Sequence, residues 1–226
     1  MMLRIASVIA FCVLLSEARI FNVQGFKTHH SHHRPYDLPP ANQSALVARY
    51  VVNHADWAAV ATISTRNDIK TYPVANLVSI SDGPTGNGTG IPYMYLTPLD
   101  YTAQDLDKDH RATLLVSLAE GSYCKYKHLD PMDPRCARVT LTGKIVAVND
   151  TAEQKTAAQL FFGRHPELKD VPADHKFFFC KLDIFEIVIL NNYGGPINIT
   201  VLNYYHPPVY HAVNKLYEHS FVEHRV

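Results

Sequence analysis

The chain has 226 residues, 47% of them hydrophobic, and its 21 basic residues balance 21 acidic ones. That is ordinary for a globular protein with a buried core, and we expect a single domain. A formal net charge of zero leaves no global field to draw the protein to nucleic acid or to an anionic membrane, so a direct DNA-binding role starts disfavoured.

Arg4 precedes an apolar run from Ile5 to Leu15, after which the small residues Ser16 and Ala18 flank Glu17. This is the pattern of a secretory signal peptide, residues 1–18, with cleavage after Ala18. The run is about half of the roughly 20 residues a membrane helix needs. The most apolar later stretch, Phe177 to Leu190, is broken by Lys181, Asp183 and Glu186, so no membrane span is expected.

Residues 19–41 are polar, carry His29, His30, His32 and His33, and read as a flexible arm. Neutral imidazoles can bind a transition metal, but with no ordered scaffold to orient the rings only weak adventitious binding is expected. No metal site is assigned.

Asn42 or Ser44 is placed to cap a helix from Ala45 to about Asn53, whose Leu46, Tyr50 and Asn53, or Val47, Val51 and His54, repeat at helical spacing. Strands rich in β-branched and aromatic residues follow at 57–64, 73–80, 93–96, 111–118, 139–148 and 177–190. Asn67 and Asp68 make the first two a hairpin. The Gly-rich stretch from Ser81 to Pro92 reads as an exposed loop. It lacks the Lys-Ser/Thr and the following helix that a phosphate cradle needs.

Two helices interrupt the strands, one from Asp100 to Asp107 and one from Thr151 to Phe162, where Thr151 and Gln154 fit a capping box and His165-Pro166 ends the helix. About six antiparallel strands with few helices predict an α+β domain over residues 42–205, built as a closed or nearly closed barrel. The tail, residues 206–226, contains Pro207-Pro208 and a segment from Ala212 to Glu218 that is short enough for one or two helical turns.

Four Asn-x-Ser/Thr sequons, at Asn42, Asn87, Asn149 and Asn198, become glycosylation sites once the chain is secretory. The first three are expected to be exposed; Asn198 lies in a strand-like run. Past the signal peptide the cysteines are Cys124, Cys136 and Cys180. Cys124 and Cys136 flank a polar, proline-containing loop, and an oxidising compartment lets a bridge across it persist. Cys180 reads as a buried small hydrophobe.

No Gly-x-Ser-x-Gly elbow or His-Glu-x-x-His occurs. Asp105, Asp107 and Asp109, interspersed with Lys108, His110 and Arg111, read as a solvated turn. No catalytic residue is assigned.

Seven stretches resemble a known family in order: Ala61-Thr-Ile-Ser-Thr65, Ser79-Ile-Ser-Asp-Gly83, Ile91-Pro-Tyr-Met-Tyr-Leu-Thr-Pro-Leu99, Arg111-Ala-Thr-Leu114, Phe162-Gly-Arg-His-Pro-Glu167, Phe177-Phe-Phe-Cys-Lys-Leu182 and Tyr193-Gly-Gly-Pro196. From Leu46 to Tyr205 the chain is similar to the CREG family of secreted glycoproteins, the so-called cellular repressors. That resemblance implies a split β-barrel like that of the flavin-dependent pyridoxamine phosphate oxidases. It also implies a homodimer that is secreted or endosomal and lysosomal, and that acts in growth control and differentiation by binding a receptor, reached through its glycans or otherwise, or a luminal partner. The Cys124 to Cys136 loop resembles one in that family.

In the oxidases FMN lies at the dimer interface, its phosphate held partly by a basic residue shortly after the Ser/Thr that ends a central strand. Here Thr97 fits the hydroxyl, but Thr102 stands where the lysine is expected, four residues before Leu106. A missing cation removes an interaction worth about 1.5–3 kcal/mol. The resemblance therefore implies no cofactor, with FMN in a cleft lined by Tyr95, Thr97 and Thr102 as the alternative. A loop such as 125–135 is a candidate to fill that cleft.

Overall fold

The computed structural model describes residues 38–208. The expected signal peptide, most of the His-rich arm and the tail from residue 209 lie outside the described residues.

Helix α1, Ser44–His54, buries Val47, Ala48, Val51 and Val52, so the stripe through Val47 and Val51 faces inward while His54 is exposed. Neither Asn42 nor Ser44 caps it. Gln43 holds the cap position without a side-chain bond, because Gln43 N donates to Pro40 O at 2.8 Å and a proline turn feeds the chain into the first helical turn.

Strands β1 (Trp57–Ile63) and β2 (Pro73–Ser79) form the expected hairpin, with Ala59 opposite Leu77 and Ala61 opposite Ala75. With β3 (Tyr93–Leu96), β4 (Arg111–Ser117), β5 (Arg138–Ala147) and β6 (Phe178–Leu190) they make one antiparallel sheet in the order β2-β1-β4-β5-β6-β3. A short β7 (Ile197–Ile199) pairs with the far part of β6. The sheet curls until its two end strands approach. There Ser81, just past β2, and Tyr93 exchange two backbone hydrogen bonds of 3.0 Å. This is an α+β split barrel.

Alternation along the strands sends one face inward. Ala58, Val60, Leu114, Val116, Val139, Leu141, Ile187 and Ile189 meet α1 and the C-terminal helix α5, Val201–Tyr205, in one core. Each fully buried aliphatic side chain of this kind contributes about 1.5–3 kcal/mol. At the β5–β6 bulge Gly143 is required, since a Cβ there would lie 2.0 Å from Asp183 O.

Helix α2, Tyr101–Lys108, starts where the Asp100 carboxylate accepts from Thr102 N at 2.7 Å. The short helix α3, Tyr123–Tyr126, opens the loop that the Cys124–Cys136 disulfide closes. Helix α4, Thr151–Arg164, is capped one residue earlier than the sequence suggests. Asp150, as good a cap as threonine, accepts from Glu153 N at 2.8 Å, and Gln154 turns back to Val148 O.

The Gly-rich connection is not simply an exposed loop. Asp82 is buried and accepts from Asn53 Nδ2 at 2.7 Å and Gly90 N at 3.0 Å. Gly88 packs against this pair, where a Cβ would lie 2.1 Å from the carboxylate. Arg49 donates to Gly88 O and to the carbonyls of Tyr204 and Tyr205. Arg164 donates to Asn53 O, Ala55 O and Gly83 O. The loop tip, including Asn87, stays exposed.

Candidate functional site

Helix α2 separates two clefts. On one side Ala103, Gln104, Leu106 and Asp107 face a largely apolar cavity of about 670 Å³ at the mouth of the barrel, floored by Leu96, Ile145, Phe178 and Cys180. On the other side Tyr101, Thr102 and Asp105 face a polar pocket of about 470 Å³ that is also lined by Ser64, Arg66 and Asn76. Helical spacing explains the division, because Thr102 and Asp105 lie three residues apart on one stripe and Ala103 and Leu106 on the next.

The three residues singled out from the sequence fall in different places. Thr102 lines the polar pocket, where its hydroxyl accepts from Asn76 Nδ2 at 2.9 Å and its backbone N–H serves the Asp100 cap. Thr97 donates to His175 O at 2.5 Å, so the segment beside it is the turn Ala173–His175, ahead of β6, and not the disulfide loop. Tyr95 projects to the α4 side of β3, stacked on Phe177 and Phe179 with ring centroids 4.9 and 4.6 Å away and edge-on to Phe162.

Asp105 is not part of a solvated turn. It is buried on the inner stripe of α2, accepting from Thr65 N at 2.7 Å, Thr65 Oγ1 at 2.8 Å and, at 3.5 Å, Thr62 Oγ1. Asp107 and Asp109 do sit outside, paired with Lys108 and Arg111. The helical repeat of Thr102, Ala103, Asp105 and Leu106 carried this signal, but the surrounding charges masked it.

These contacts decide how well a flavin phosphate would fit beside Thr102. The lining offers two carboxylates, Asp100 and Asp105, against one cation, Arg66. That cation bonds Asp68 at 2.5 Å and lies 4.6 Å over the Tyr101 ring. A dianion there would meet net repulsion, and the residues present do not suit it. Cys180 is equally unsuited to nucleophilic work: burial pushes its thiol up to about 12, and Lys181 points to the opposite face to meet Glu153.

All four sequon asparagines are exposed, Asn198 included. No cluster of potential metal ligands and no helix long and apolar enough to cross a membrane occurs among the described residues.

A family model described as "CREG, beta-barrel" matches residues 39–206. The mouse protein CREG1 is 44% identical over 168 residues, covering 74% of this chain and 76% of its own length. The chain belongs to the CREG family. Human CREG1 is 42% identical over 76% of this chain and 78% of its own, and human CREG2 is 37% identical over 74% and 57%.

Among solved structures, a heme binding protein from Mycobacterium smegmatis superposes with a TM-score of 0.56 at 19% identity, over 74% of this chain and 61% of that one. The Agrobacterium tumefaciens protein Atu2129, of unknown function, gives 0.53 at 21%, over 73% and 60%. At that identity these neighbours speak to the fold alone. Two of the seven stretches found in the sequence have a clear structural duty. Arg164 of the Phe162–Glu167 stretch clamps the Gly-rich loop, and Asp82 of the Ser79–Gly83 stretch is its buried centre.

Proposed function

We propose that this CREG-family chain is a secreted, N-glycosylated homodimer, extracellular or endosomal and lysosomal, that acts in growth control and differentiation by binding a receptor or luminal partner and not by flavin chemistry. The observation that carries the reading is the outer face of the sheet. Leu77, Ala59 and Leu115 stand side by side across β2, β1 and β4. Leu77 is 62% exposed and Leu115 41%, and Phe185, 66% exposed at the β6 bulge, continues the face beside Ala61 and Thr113. A contiguous apolar sheet face that no element among the described residues covers is the signature of a protein-binding surface.

The acidic lining beside Thr102 supports the non-flavin half of the reading, and the exposure of Asn42, Asn87, Asn149 and Asn198 supports the glycoprotein half. A sorting receptor that reads glycans is one partner of the stated kind. Sedimentation of the glycosylated protein tests the dimer: wild type runs as a dimer and Leu115→Glu with Phe185→Ser as a folded monomer. An unchanged sedimentation coefficient for the double variant contradicts the assignment of this face.

A further inference from the structure

Two of the four sequons meet in space. Asn42 stands just before α1 and Asn198 in the middle of β7, yet both line one shallow groove of about 190 Å³, together with Thr200 and Pro208. Asn87 and Asn149 are not among its lining residues.

This flank has an unusual liability. β7 is an edge: it pairs with β6, and among the described residues no strand pairs with its other side. Exposed apolar side chains adjoin it, Ile197 at 43% and Leu202 at 69%. Edge strands beside apolar surface are templates for pairing with other chains, and proteins ordinarily block them with lysines, other charges or proline. Here Pro196 precedes the strand, but no Asp, Glu, Lys or Arg occurs from Ile187 to Tyr205, nor from Leu38 to Ala48 on the other wall of the groove. Where charged residues would be expected, two sequons stand instead.

We infer that Asn42 and Asn198 carry a pair of N-glycans that together shield this uncharged edge against aggregation, leaving the Leu77, Leu115 and Phe185 face bare for specific association. The inference rests on the secreted-glycoprotein reading above. In the modification, the Asn amide nitrogen displaces the diphosphate from C1 of a polyprenyl-diphosphate oligosaccharide. The N–C1 bond forms as the C1–O bond breaks, one amide proton is lost, and the lipid diphosphate leaves. In the fold Asn198 lies in the ladder opposite Val188, and the sequon hydroxyl of Thr200 accepts from Asn203 N at 3.1 Å to cap α5. Transfer at Asn198 therefore precedes folding of this segment, and the sugar then stays on the finished surface.

The test uses the full chain expressed in a glycosylating secretory host, with glycopeptide mass spectrometry for occupancy and light scattering for the aggregated fraction in medium and cells together. Occupancy is expected at both Asn42 and Asn198. Asn42→Gln with Asn198→Gln is expected to aggregate about threefold or more above Asn87→Gln with Asn149→Gln, and Asn42→Lys with Asn198→Lys, which restores edge charge without sugar, to return to the wild-type level. Equal aggregation in the two glutamine pairs, or a lysine pair that aggregates like its glutamine counterpart, overturns the inference. A bare Asn198 beside occupied Asn87 and Asn149 overturns it alone, whereas sugar at none of the four sites overturns the glycoprotein reading as well.

Discussion

Asp82 and Asp105 are both 1% exposed, and each gathers backbone and side-chain donors without a direct cation partner, yet they sit in opposite kinds of surroundings. Asp82 is sealed: Arg49 and Arg164 tie the loop around it, through Gly88 O and Gly83 O, to the carbonyls of α5 and of the end of α1, and Tyr204 closes the space with its hydroxyl donating to Gly90 O at 3.0 Å. Asp105 opens on the polar pocket beside Thr102, with Arg66 turned away toward Asp68. A buried carboxylate that is walled in fastens the fold; one left beside a pocket also sets that pocket's charge, here against an anion.

The contrast breaks most readily at Asp82. Asp82→Ala leaves the Gly90 N–H buried without its acceptor and the Asn53 amide with Pro84 O alone, at 3.1 Å, and is expected to cost about 3 kcal/mol in thermal or urea unfolding. Asp105→Ala is expected to cost less, about 1–2 kcal/mol, because water from the pocket can replace the carboxylate at Thr65. If the two variants unfold alike, the difference between sealed and open surroundings has no energetic content.

Glu120 sharpens the comparison because it is only half engaged. One oxygen accepts from Ser117 N at 2.7 Å and the other is buried without a partner. Burial, opposed by the Ser117 N–H and reinforced by the Asp56 carboxylate, raises its pKa from 4.5 to about 7. The folded state therefore holds this proton more tightly than the unfolded chain. Its stabilisation is complete below about pH 4.5 and is lost as pH rises through about 7. Comparing Tm at pH 5 and pH 7.5, Glu120→Gln is expected to narrow the wild-type difference; an unchanged difference excludes Glu120 as its source.

Much of this fold was legible before any coordinates. The six main strands stand out by β-branched and aromatic content, and their boundaries move by a residue or so in the structure. β7 is three residues long, too short for periodicity to register. The cap of α4 was missed by one position because Asp150 and Thr151 are both good caps and only the reach to Glu153 N chooses between them. The site was less readable than the fold. Asp105 is flanked by charges that suggest a surface turn, and Asp82 lies among glycines that suggest a free loop; in both, what buries the acid comes from distant residues, Thr62 and Thr65 for one, Asn53 and Arg49 for the other. Tyr95, Thr97 and Thr102 are close in sequence, but the end of β3 at Leu96 and the start of α2 at Tyr101 send them to different places.

The most direct measurement of whether the pocket beside Thr102 is the protein's own polar hub and not a flavin phosphate site is the Tm of the purified protein across an FMN titration. A ligand that binds only the native state raises Tm. A colourless protein whose Tm does not move with excess FMN is expected; a rise of several degrees at micromolar FMN makes the pocket a flavin site after all.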